Sequence, residues 1–558
     1  MQRLSKLFLP ALLALAFVTL LNGNGRMGLC EPSEARYAEV AREMLETGDF
    51  VSPQIDYVYH FTKPPLTYWI TDAGYALFGV GPLGARFFLA VAAVAVLTLT
   101  SRLYALQFPG STGAGAAAVL FFSVEFFAMG KVLTSDLYLT LWTTAGFYLW
   151  AMNERARIGP RLFSVLFGAA AACALLTKGG IGLLVWASAL VPYAVWKDKG
   201  RSLRPIASPW CWLTFLALAS PWFVAAGLVH PGLLRYLALR ESFEAAYSSG
   251  RYHPGPLYYY LPVLAAGLLP WWLLVAAKWR QAVRPGFRLW LIWAIVPPLL
   301  WSCFAAKLPT YILPSFPAWA LLAAAAALEG EAPSRWALAA AAALVAGACS
   351  VGLWALGSGA WDLPPVGGAV LALFAAATLL ALLGLVPAWR SSPRGCLACL
   401  MGAVLAVQIA APALFATLGE RVRIPSGLER LLAEDRLKEE AVLEYRVTLF
   451  SVPFCIRDKV AAYDNGFAKN KYAEGTPPHI LGSPEALAAY VRANPKLWVV
   501  TDRNGEKSLK AAIPGLALLL RDGGHSVWGS APVAARIGGA GAGHRHNASG
   551  AAGEGRFT

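Results

Sequence analysis

The sequence predicts a polytopic α-helical membrane protein that carries a small α/β domain near its C-terminus. Of its 558 residues 57% are hydrophobic and only 14% are charged, and the mean hydropathy is +0.53. This composition is too apolar for a water-soluble chain of this length. About thirteen apolar runs are long enough to cross ~30 Å of hydrocarbon, and polar sequence dominates only after residue 418.

The predicted spans are distributed over the first three quarters of the chain. In order they lie at 7–21, 82–107, 113–130, 136–152, 162–177, 180–196, 208–228, 256–277, 289–305, 310–328, 335–356, 366–389 and 396–418. The first run resembles a signal peptide, but no A-x-A site follows it. We therefore expect it to remain as the first transmembrane helix.

Clusters of basic residues between the runs indicate the orientation. A formal charge of +15 could suggest nucleic-acid binding, but these residues are grouped as the positive-inside rule predicts, and we expect no nucleic-acid partner. The cytoplasmic clusters are Arg3 and Lys6; Arg155, Arg157 and Arg161; Lys197, Lys199, Arg201 and Arg204; and Lys278, Arg280, Arg284 and Arg288. An odd number of spans then places both the loop 22–81 and the tail after residue 418 in the periplasm.

These patterns predict three regions. Residues 1–418 form the transmembrane domain, which includes the first periplasmic loop 22–81, where the pattern from Ser33 to Gly48 predicts an amphipathic helix on the membrane surface. Residues 419–535 form a periplasmic α/β domain, with strand-like stretches at 447–454 and 497–501 and a helix-like stretch at 484–493. Residues 536–558 are rich in Gly and Ala and are predicted to be disordered.

Several charged residues map to the predicted periplasmic ends of the spans, where topology does not explain them. A lone lysine there is best interpreted as reaching toward the interface. A group of cations around a carboxylate instead suits a substrate that carries a phosphate. The group comprises Lys63, Lys131, Asp136, Lys178, Arg251, His253 and Lys307.

Several motifs carry a family resemblance. EPSEARYAEVAREMLETGDFVSPQIDYVYHFTKPPLTYWI (31–70), VLTSDLYLTLW (132–142), LLTKGG (175–180), RYHPGPLYYYLP (251–262) and KLPTYILPSFPAWALL (307–322) follow one another in the order of a known family. They resemble the lipid A aminoarabinose transferases and their dolichyl-phosphate-mannose protein mannosyltransferase relatives. The resemblance implies a class C glycosyltransferase-like fold.

The resemblance also implies roles for individual residues. Lys63, in the K-P-P motif, would contact the phosphate of a lipid-linked donor, and Arg251 and Tyr311 would join it. Lys178, in the L-T-K-G pattern, and Lys307, which begins the KLPTYI stretch, would add positive charge around that phosphate. Alternatively, Lys63 is an interfacial lysine beside two prolines, Lys178 caps a helix and Tyr311 anchors the chain at the interface.

The acidic motif departs from the family pattern. Many relatives have Asp-Glu at the head of the first-loop helix, with the Asp proposed as catalytic base, whereas this chain has Ser33 and Glu34. Three carboxylates could then serve as the catalytic base. We rank Glu34 first, and the alternatives are Asp136 and Glu31.

The resemblance leaves a divalent metal open as a cofactor. The family's metal-binding pair is a Glu before the K-P-P lysine and a His in a later loop. Here Thr62 replaces the Glu, while His253 remains. A single His does not define a metal site.

These observations lead to one expected function and two alternatives. The expected function is transfer of a sugar from a polyprenyl-phosphate donor, of the undecaprenyl-phosphate aminoarabinose type, to lipid A or a related envelope acceptor. The reaction would occur at the periplasmic face of the bacterial inner membrane. One alternative is a protein O-mannosyltransferase-like enzyme with the same donor type; the other is a lipid or solute transporter, which usually has ionisable residues near the bilayer midplane and two similar halves.

Overall fold

A computed structural model describes residues 2–237, 255–330, 333–358, 366–390, 392–418, 426–464, 478–522 and 524–544. The chain divides into two compact units. The first consists of residues Met1–Met27, Thr47–Pro53 and Phe61–Leu418, and the second of Gly28–Glu46, Gln54–His60 and Gly419–Thr558. The division after Leu418 falls where the polar tail begins. The first loop, however, which we assigned to the transmembrane domain, is shared between the two units.

The secondary-structure elements of the first unit are all helices in its described part. Its helices are α1 (Gln2–Leu21), α3 (Leu66–Phe78), α4 (Pro82–Gln107), α5 (Ala114–Phe121), α6 (Val124–Met129), α7 (Ser135–Glu154), α8 (Pro160–Lys178), α9 (Ile181–Asp198), α10 (Pro209–Val229), α11 (Leu233–Arg235), α12 (Tyr260–Gly267), α13 (Trp272–Ala277), α14 (Trp279–Ala282), α15 (Arg288–Ser302), α16 (Phe316–Leu328), α17 (Arg335–Ser358), α18 (Gly368–Leu383), α19 (Leu385–Trp389) and α20 (Pro393–Leu418). Short 3₁₀ helices lie at Arg201–Leu203, Pro285–Phe287 and Pro309–Ser315.

Each of the thirteen predicted runs coincides with helical structure, as expected for a polytopic membrane protein. Within the described residues, seven helices are long and apolar enough to cross a bilayer, so the number thirteen stays a prediction. Two of the other runs are interrupted: one breaks between α5 and α6, and the other between α12 and α13, where Pro270 supplies no backbone donor. Broken helices are tolerated in membranes where neighbouring segments bond the freed backbone groups.

Alanine accounts for the tight packing of α16. Its run from Ala323 to Ala327 is at most 5% exposed, because small side chains allow neighbouring helices to approach closely. This helix directly follows the 3₁₀ segment Pro309–Ser315 and so fixes the position of that segment.

The second unit contains α2 (Ser33–Thr47) and the hairpin formed by β1 (Gln54–Ile55) and β2 (Val58–Tyr59). The predicted helix in the first loop is therefore present. However, Glu34, Glu39 and Glu43 are fully buried together with its apolar residues, whereas a helix lying on a membrane surface would expose its polar face.

The tail forms the predicted α/β domain. Its elements are α21 (Ser426–Arg430), a π-helical turn (Leu431–Asp435), β3 (Ala441–Tyr445), α22 (Ser451–Ile456), β4 (Ala461–Tyr463), β5 (Ile480–Leu481), α23 (Pro484–Ala493), β6 (Leu497–Asp502), α24 (Arg503–Ala512), β7 (Ala517–Asp522), β8 (His525–Gly529) and α25 (Ala531–His544). The strands form one sheet in the order β5-β4-β3-β6-β8-β7. β3 is parallel to β4 and β6, with Leu443 opposite Val499, whereas β8 is antiparallel to β6 and β7. Apolar clusters fill both faces of the sheet.

Two predictions for the tail are confirmed and one is wrong. The helix at 484–493 and the strand at 497–501 are present, but the stretch 447–454 is not a strand. The strand in this region ends at Tyr445, because Arg446 adopts a positive φ of 58°. Pro453 then supplies no backbone donor for a sheet, and the chain turns into α22.

The sequence prediction placed the start of the disordered tail too early in the chain. α25 continues to His544, so residues 536–544 are helical. Arg536 is held by Glu440, to which its Nη2 donates at 2.7 Å, and Val533 is buried one turn earlier. The rest of the predicted tail, 545–558, lies outside the described residues.

Candidate active site

A buried ion pair joins the beginning of α7 to the end of α8. Thr134 is extended and Asp136 lies in the first turn of α7, where the helix dipole favours a carboxylate. Lys178 is the last residue of α8, because Gly179 takes a positive φ of 70° and ends the helix. The Lys178 ammonium donates to Asp136 Oδ1.

Both partners are withdrawn from solvent. The side chain of Lys178 is 5% exposed and that of Asp136 is 7% exposed. An ion pair at this depth contributes little net stability, because the loss of hydration offsets the attraction between the charges. The presence of a buried ion pair here is therefore better explained by a role in binding or catalysis than by a role in folding.

The ring of Tyr311 lies beside the Lys178 ammonium. The Lys178 Nζ lies 4.2 Å from the centroid of the Tyr311 ring, within the range of a cation–π contact. Tyr311 belongs to the 3₁₀ helix Pro309–Ser315, which Trp293 fixes by donating from Nε1 to the Pro314 carbonyl at 2.8 Å. The structure thus brings together three of the predicted site residues: Asp136, Lys178 and Tyr311.

Two further residues of this region were not predicted. Tyr260, in the first turn of α12, is 2% exposed and lies close enough to Tyr311 and Asp136 to interact with them electrostatically. Glu125, in the first turn of α6, lies within electrostatic range of Asp136. Glu125 could have been found from the sequence, since it is an ionisable residue inside an apolar run; Tyr260 is one of three consecutive tyrosines, and no pattern distinguishes it.

An apolar cavity of about 760 Å³ opens beside Tyr260. It lies among α12, α13, α15 and α16, and its walls include Leu261, Leu264, Trp272, Ile295 and Trp319. Its lining is almost wholly hydrocarbon. A cavity of this kind, with a charged pair nearby, suits a ligand that has an apolar chain and a polar head.

Two other predicted cations, Lys307 and Lys131, donate hydrogen bonds mainly to backbone carbonyls. Lys307 is 4% exposed and donates to the carbonyl oxygens of Gly255, at 2.9 Å, and Phe304. Lys131 is buried and donates to the Asn22 carbonyl and to Asn24 Oδ1. Both lysines therefore stabilise neighbouring loops of the first unit.

Lys63 precedes α3 and is partly buried. Its ammonium donates to the carbonyl of the adjacent Thr62 at 2.8 Å. Two prolines follow it and fix the chain direction into the helix. Its role toward a donor phosphate stays a prediction.

The two first-loop carboxylates belong to the second unit. Glu34 is fully buried and accepts a hydrogen bond at 2.9 Å from the backbone N–H of Cys30. Glu31 Oε1 accepts from the backbone N–H of Ser451, at 2.6 Å, and from its hydroxyl. Burial raises the pKa of Glu31, which these hydrogen bonds only partly offset. Both carboxylates fix the chain within this unit.

Two predicted residues, Arg251 and His253, lie outside the described residues. Within the part of the chain that the structure describes, no group of three or more His, Cys, Asp or Glu side chains converges as metal ligands do. The described side chains thus supply no such group, and we derive no step through the divalent metal that the resemblance leaves open.

The fold can be compared with a solved structure. ArnT from Cupriavidus metallidurans bound to undecaprenyl phosphate superposes with a TM-score of 0.81 over 94% of this chain and 98% of that chain, at 22% identity. Its apo form gives a TM-score of 0.79 at 21% identity. At this identity the likeness shows the fold, and the chain is a polytopic membrane protein of the class C glycosyltransferase fold with a C-terminal α/β domain.

Comparisons of the sequence with those of known proteins show which members of this fold class the chain resembles. Residues 8–231 match the model of the dolichyl-phosphate-mannose-protein mannosyltransferase family. The undecaprenyl phosphate-alpha-4-amino-4-deoxy-L-arabinose arabinosyl transferase of Edwardsiella ictaluri is 34% identical over 54% of this chain and 55% of its own length. The same transferase of Yersinia enterocolitica is 34% identical over 57% of this chain and 59% of its own length. The chain thus spans a little over half the length of these relatives, and the predicted resemblance to this group is confirmed.

Proposed function

We propose that the protein is a membrane glycosyltransferase that moves a sugar from a polyprenyl-phosphate donor to lipid A or a related envelope acceptor. The donor is of the undecaprenyl-phosphate aminoarabinose type. The enzyme lies in the bacterial inner membrane, with its active site toward the periplasm. The observation that carries the proposal is the buried Asp136–Lys178 pair beside a large apolar cavity.

The arrangement suits both ends of such a donor. The cavity accommodates part of the isoprenoid chain, while the Lys178 ammonium binds the phosphate. The ring of Tyr311 helps to hold Lys178 in place through the cation–π contact. Lys63 and Arg251 are expected to add positive charge, as the family resemblance implies.

The chemistry is a displacement at the anomeric carbon. An acceptor oxygen forms a bond to that carbon, while the bond from the carbon to the phosphate oxygen breaks and polyprenyl phosphate leaves. Positive charge beside the departing oxygen stabilises the transition state more than the bound donor, which is what accelerates the reaction.

A hydroxyl acceptor must also lose its proton, and Asp136 is the carboxylate we favour for this task. When the donor phosphate competes for Lys178, the Asp136 oxygen is released to accept the proton. Glu34 and Glu31 already accept hydrogen bonds from the backbone, so we rank Asp136 first instead of Glu34, which the sequence favoured.

A second candidate function is transfer of the same type of sugar to protein hydroxyls. The match of residues 8–231 to the protein mannosyltransferase family favours it. It differs from the first proposal only in the acceptor, so the same site would serve both.

One experiment distinguishes the acceptors. Mass spectrometry of lipid A and of envelope proteins is compared between cells with and without the gene. We expect the sugar to disappear from lipid A on deletion and to return with the wild-type gene, but not with Lys178→Ala at equal expression. Loss of a sugar from proteins alone supports the second candidate, and no change in either fraction contradicts both.

A further inference from the structure

The third carboxylate of the site region, Glu125, lies within an otherwise apolar sequence. It occupies the first turn of α6, a helix of six residues between Ser123 and Gly130. An ionisable residue at such a position is costly and marks a functional site by default. The mechanism proposed above does not use it.

The immediate surroundings of Glu125 leave its charge unbalanced. Its Oε1 atom is buried and accepts no hydrogen bond, and no described residue forms an ion pair with its carboxylate. On α12, Gly267 packs against it so closely that a Cβ added at this glycine would lie 2.9 Å from the Glu125 Cβ. The residues that the structure describes therefore make room for this side chain without supplying a cation.

The neighbouring charged groups strengthen this imbalance. Asp136 lies within electrostatic range of Glu125, and the positive charge of Lys178 is directed at Asp136. Tyr259 also interacts electrostatically with Glu125 and offers a hydroxyl oxygen. A carboxylate with a buried oxygen that lacks a partner costs free energy unless a cation or a proton neutralises it, so the site favours a ligand that brings positive charge.

We infer that Glu125 binds the ammonium group of an amino sugar on the lipid donor and thereby selects for this class of donor. The inference rests on the proposed function, because it places the sugar beside the Asp136–Lys178 pair. An ammonium group suits the site better than a divalent metal, which requires several ligands. A carboxylate with a tyrosine hydroxyl within electrostatic range offers oxygen acceptors for the three donors of a primary ammonium.

The test measures donor selectivity in Glu125→Gln, which keeps the size of the side chain and removes its charge. Binding of two synthetic lipids to the full-length protein in detergent is followed by native mass spectrometry, and transfer of their sugars is assayed in parallel. One is undecaprenyl phosphate bearing 4-amino-4-deoxyarabinose, and the other bears arabinose. Glu154→Gln, at the far end of α7, is the matched carboxylate control.

We expect Glu125→Gln to lower the preference for the amino lipid, in binding and in kcat/KM, by roughly 10- to 100-fold, the range of a charged hydrogen bond. Glu125→Asp should retain part of the preference, and Glu154→Gln all of it. An equal loss for both lipids, or an unchanged preference, overturns the inference. If the wild-type protein prefers the amino lipid in binding but transfers neither sugar, the proposed function fails while the role of Glu125 stands. If it binds both lipids equally, Glu125 does not select for the amine.

Discussion

At the scale of single residues, the proposed mechanism depends on the buried ion pair between Asp136 and Lys178. Both lie at the ends of apolar runs, where a charge has no topological explanation. Sequence alone could not show that they bind each other, because they lie on different helices. Nor could it show that Lys131 and Lys307, with the same positional signal, donate to backbone carbonyls. Those bonds depend on loop conformations that arise only in the folded chain.

The choice of catalytic base is testable at this scale. Asp136→Asn should reduce transfer by roughly 10²- to 10⁴-fold, the usual contribution of a general base, because the amide cannot accept the proton. Glu34→Gln and Glu31→Gln should each reduce it less than tenfold, since an amide oxygen still accepts the backbone hydrogen bonds. Initial rates in detergent, corrected for folded protein, measure this difference. A large loss in Glu34→Gln with a mild one in Asp136→Asn would restore the ranking expected from the sequence.

Glu43, on α2, should make the stability of the protein depend on pH. It is fully buried and accepts a hydrogen bond from the Tyr57 backbone N–H at 2.8 Å. Burial, followed by the charge of Glu39, raises the pKa of Glu43 far above its ordinary value of 4.5. The folded protein therefore favours the protonated carboxyl. The stability from this group is complete below the unfolded pKa and is lost as pH rises through the folded pKa.

Glu43→Gln should remove this dependence, because the amide resembles the protonated acid. Between about pH 5 and about pH 8 the Tm of the wild-type protein should fall more steeply than that of the variant. Differential scanning fluorimetry in detergent measures both slopes. Glu439→Gln, at a carboxylate that is 61% exposed, is the control and should follow the wild-type protein. Parallel curves for Glu43→Gln and the wild-type protein would show that Glu43 is ionised in the fold.

At the scale of elements, the sequence predicted the helices of the first unit better than the strands of the second. A long apolar run in a membrane forms an α-helix, because its backbone N–H and C=O groups find hydrogen-bond partners only within the same segment. The stretch 447–454 has strand-forming residues, but Arg446 ends β3 just before it and Glu31 binds the Ser451 backbone N–H. That contact joins residues 420 positions apart, which local patterns cannot show.

The end of α8 offers a test of how an element positions the site. Gly179 has a φ of 70° and a ψ of −159°, a conformation that is almost restricted to glycine, so an alanine there costs roughly 1–3 kcal/mol although nothing lies within 4 Å of an added Cβ. Gly180 is equally open but has a helical φ of −60°. Gly179→Ala should therefore lower the Tm and shift Lys178, reducing transfer, whereas Gly180→Ala should do neither. Similar thermal unfolding curves and transfer rates for the two variants would show that the positive φ of Gly179 does not determine the end of α8.

At the scale of the whole molecule, the class of fold followed from composition and motif order, but the division into units did not. Segments of the first loop belong to the same unit as the C-terminal domain, although more than 350 residues separate them in sequence. This arrangement depends on contacts such as that between Asp56 Oδ1 and the Val460 backbone N–H, at 2.8 Å. Hydropathy contains no information about such contacts.

The central claim is that the first unit transfers a lipid-linked sugar with Lys178 at its site. The most direct measurement uses the purified full-length protein in liposomes with undecaprenyl phosphate-linked 4-amino-4-deoxyarabinose and lipid A, and follows modified lipid A by mass spectrometry. The wild-type protein and Lys197→Ala, which breaks the exposed ion pair with Glu154, should both form the product. Lys178→Ala should lose most of the activity while its thermal unfolding stays cooperative. Equal product from Lys178→Ala and the wild-type protein would contradict the account.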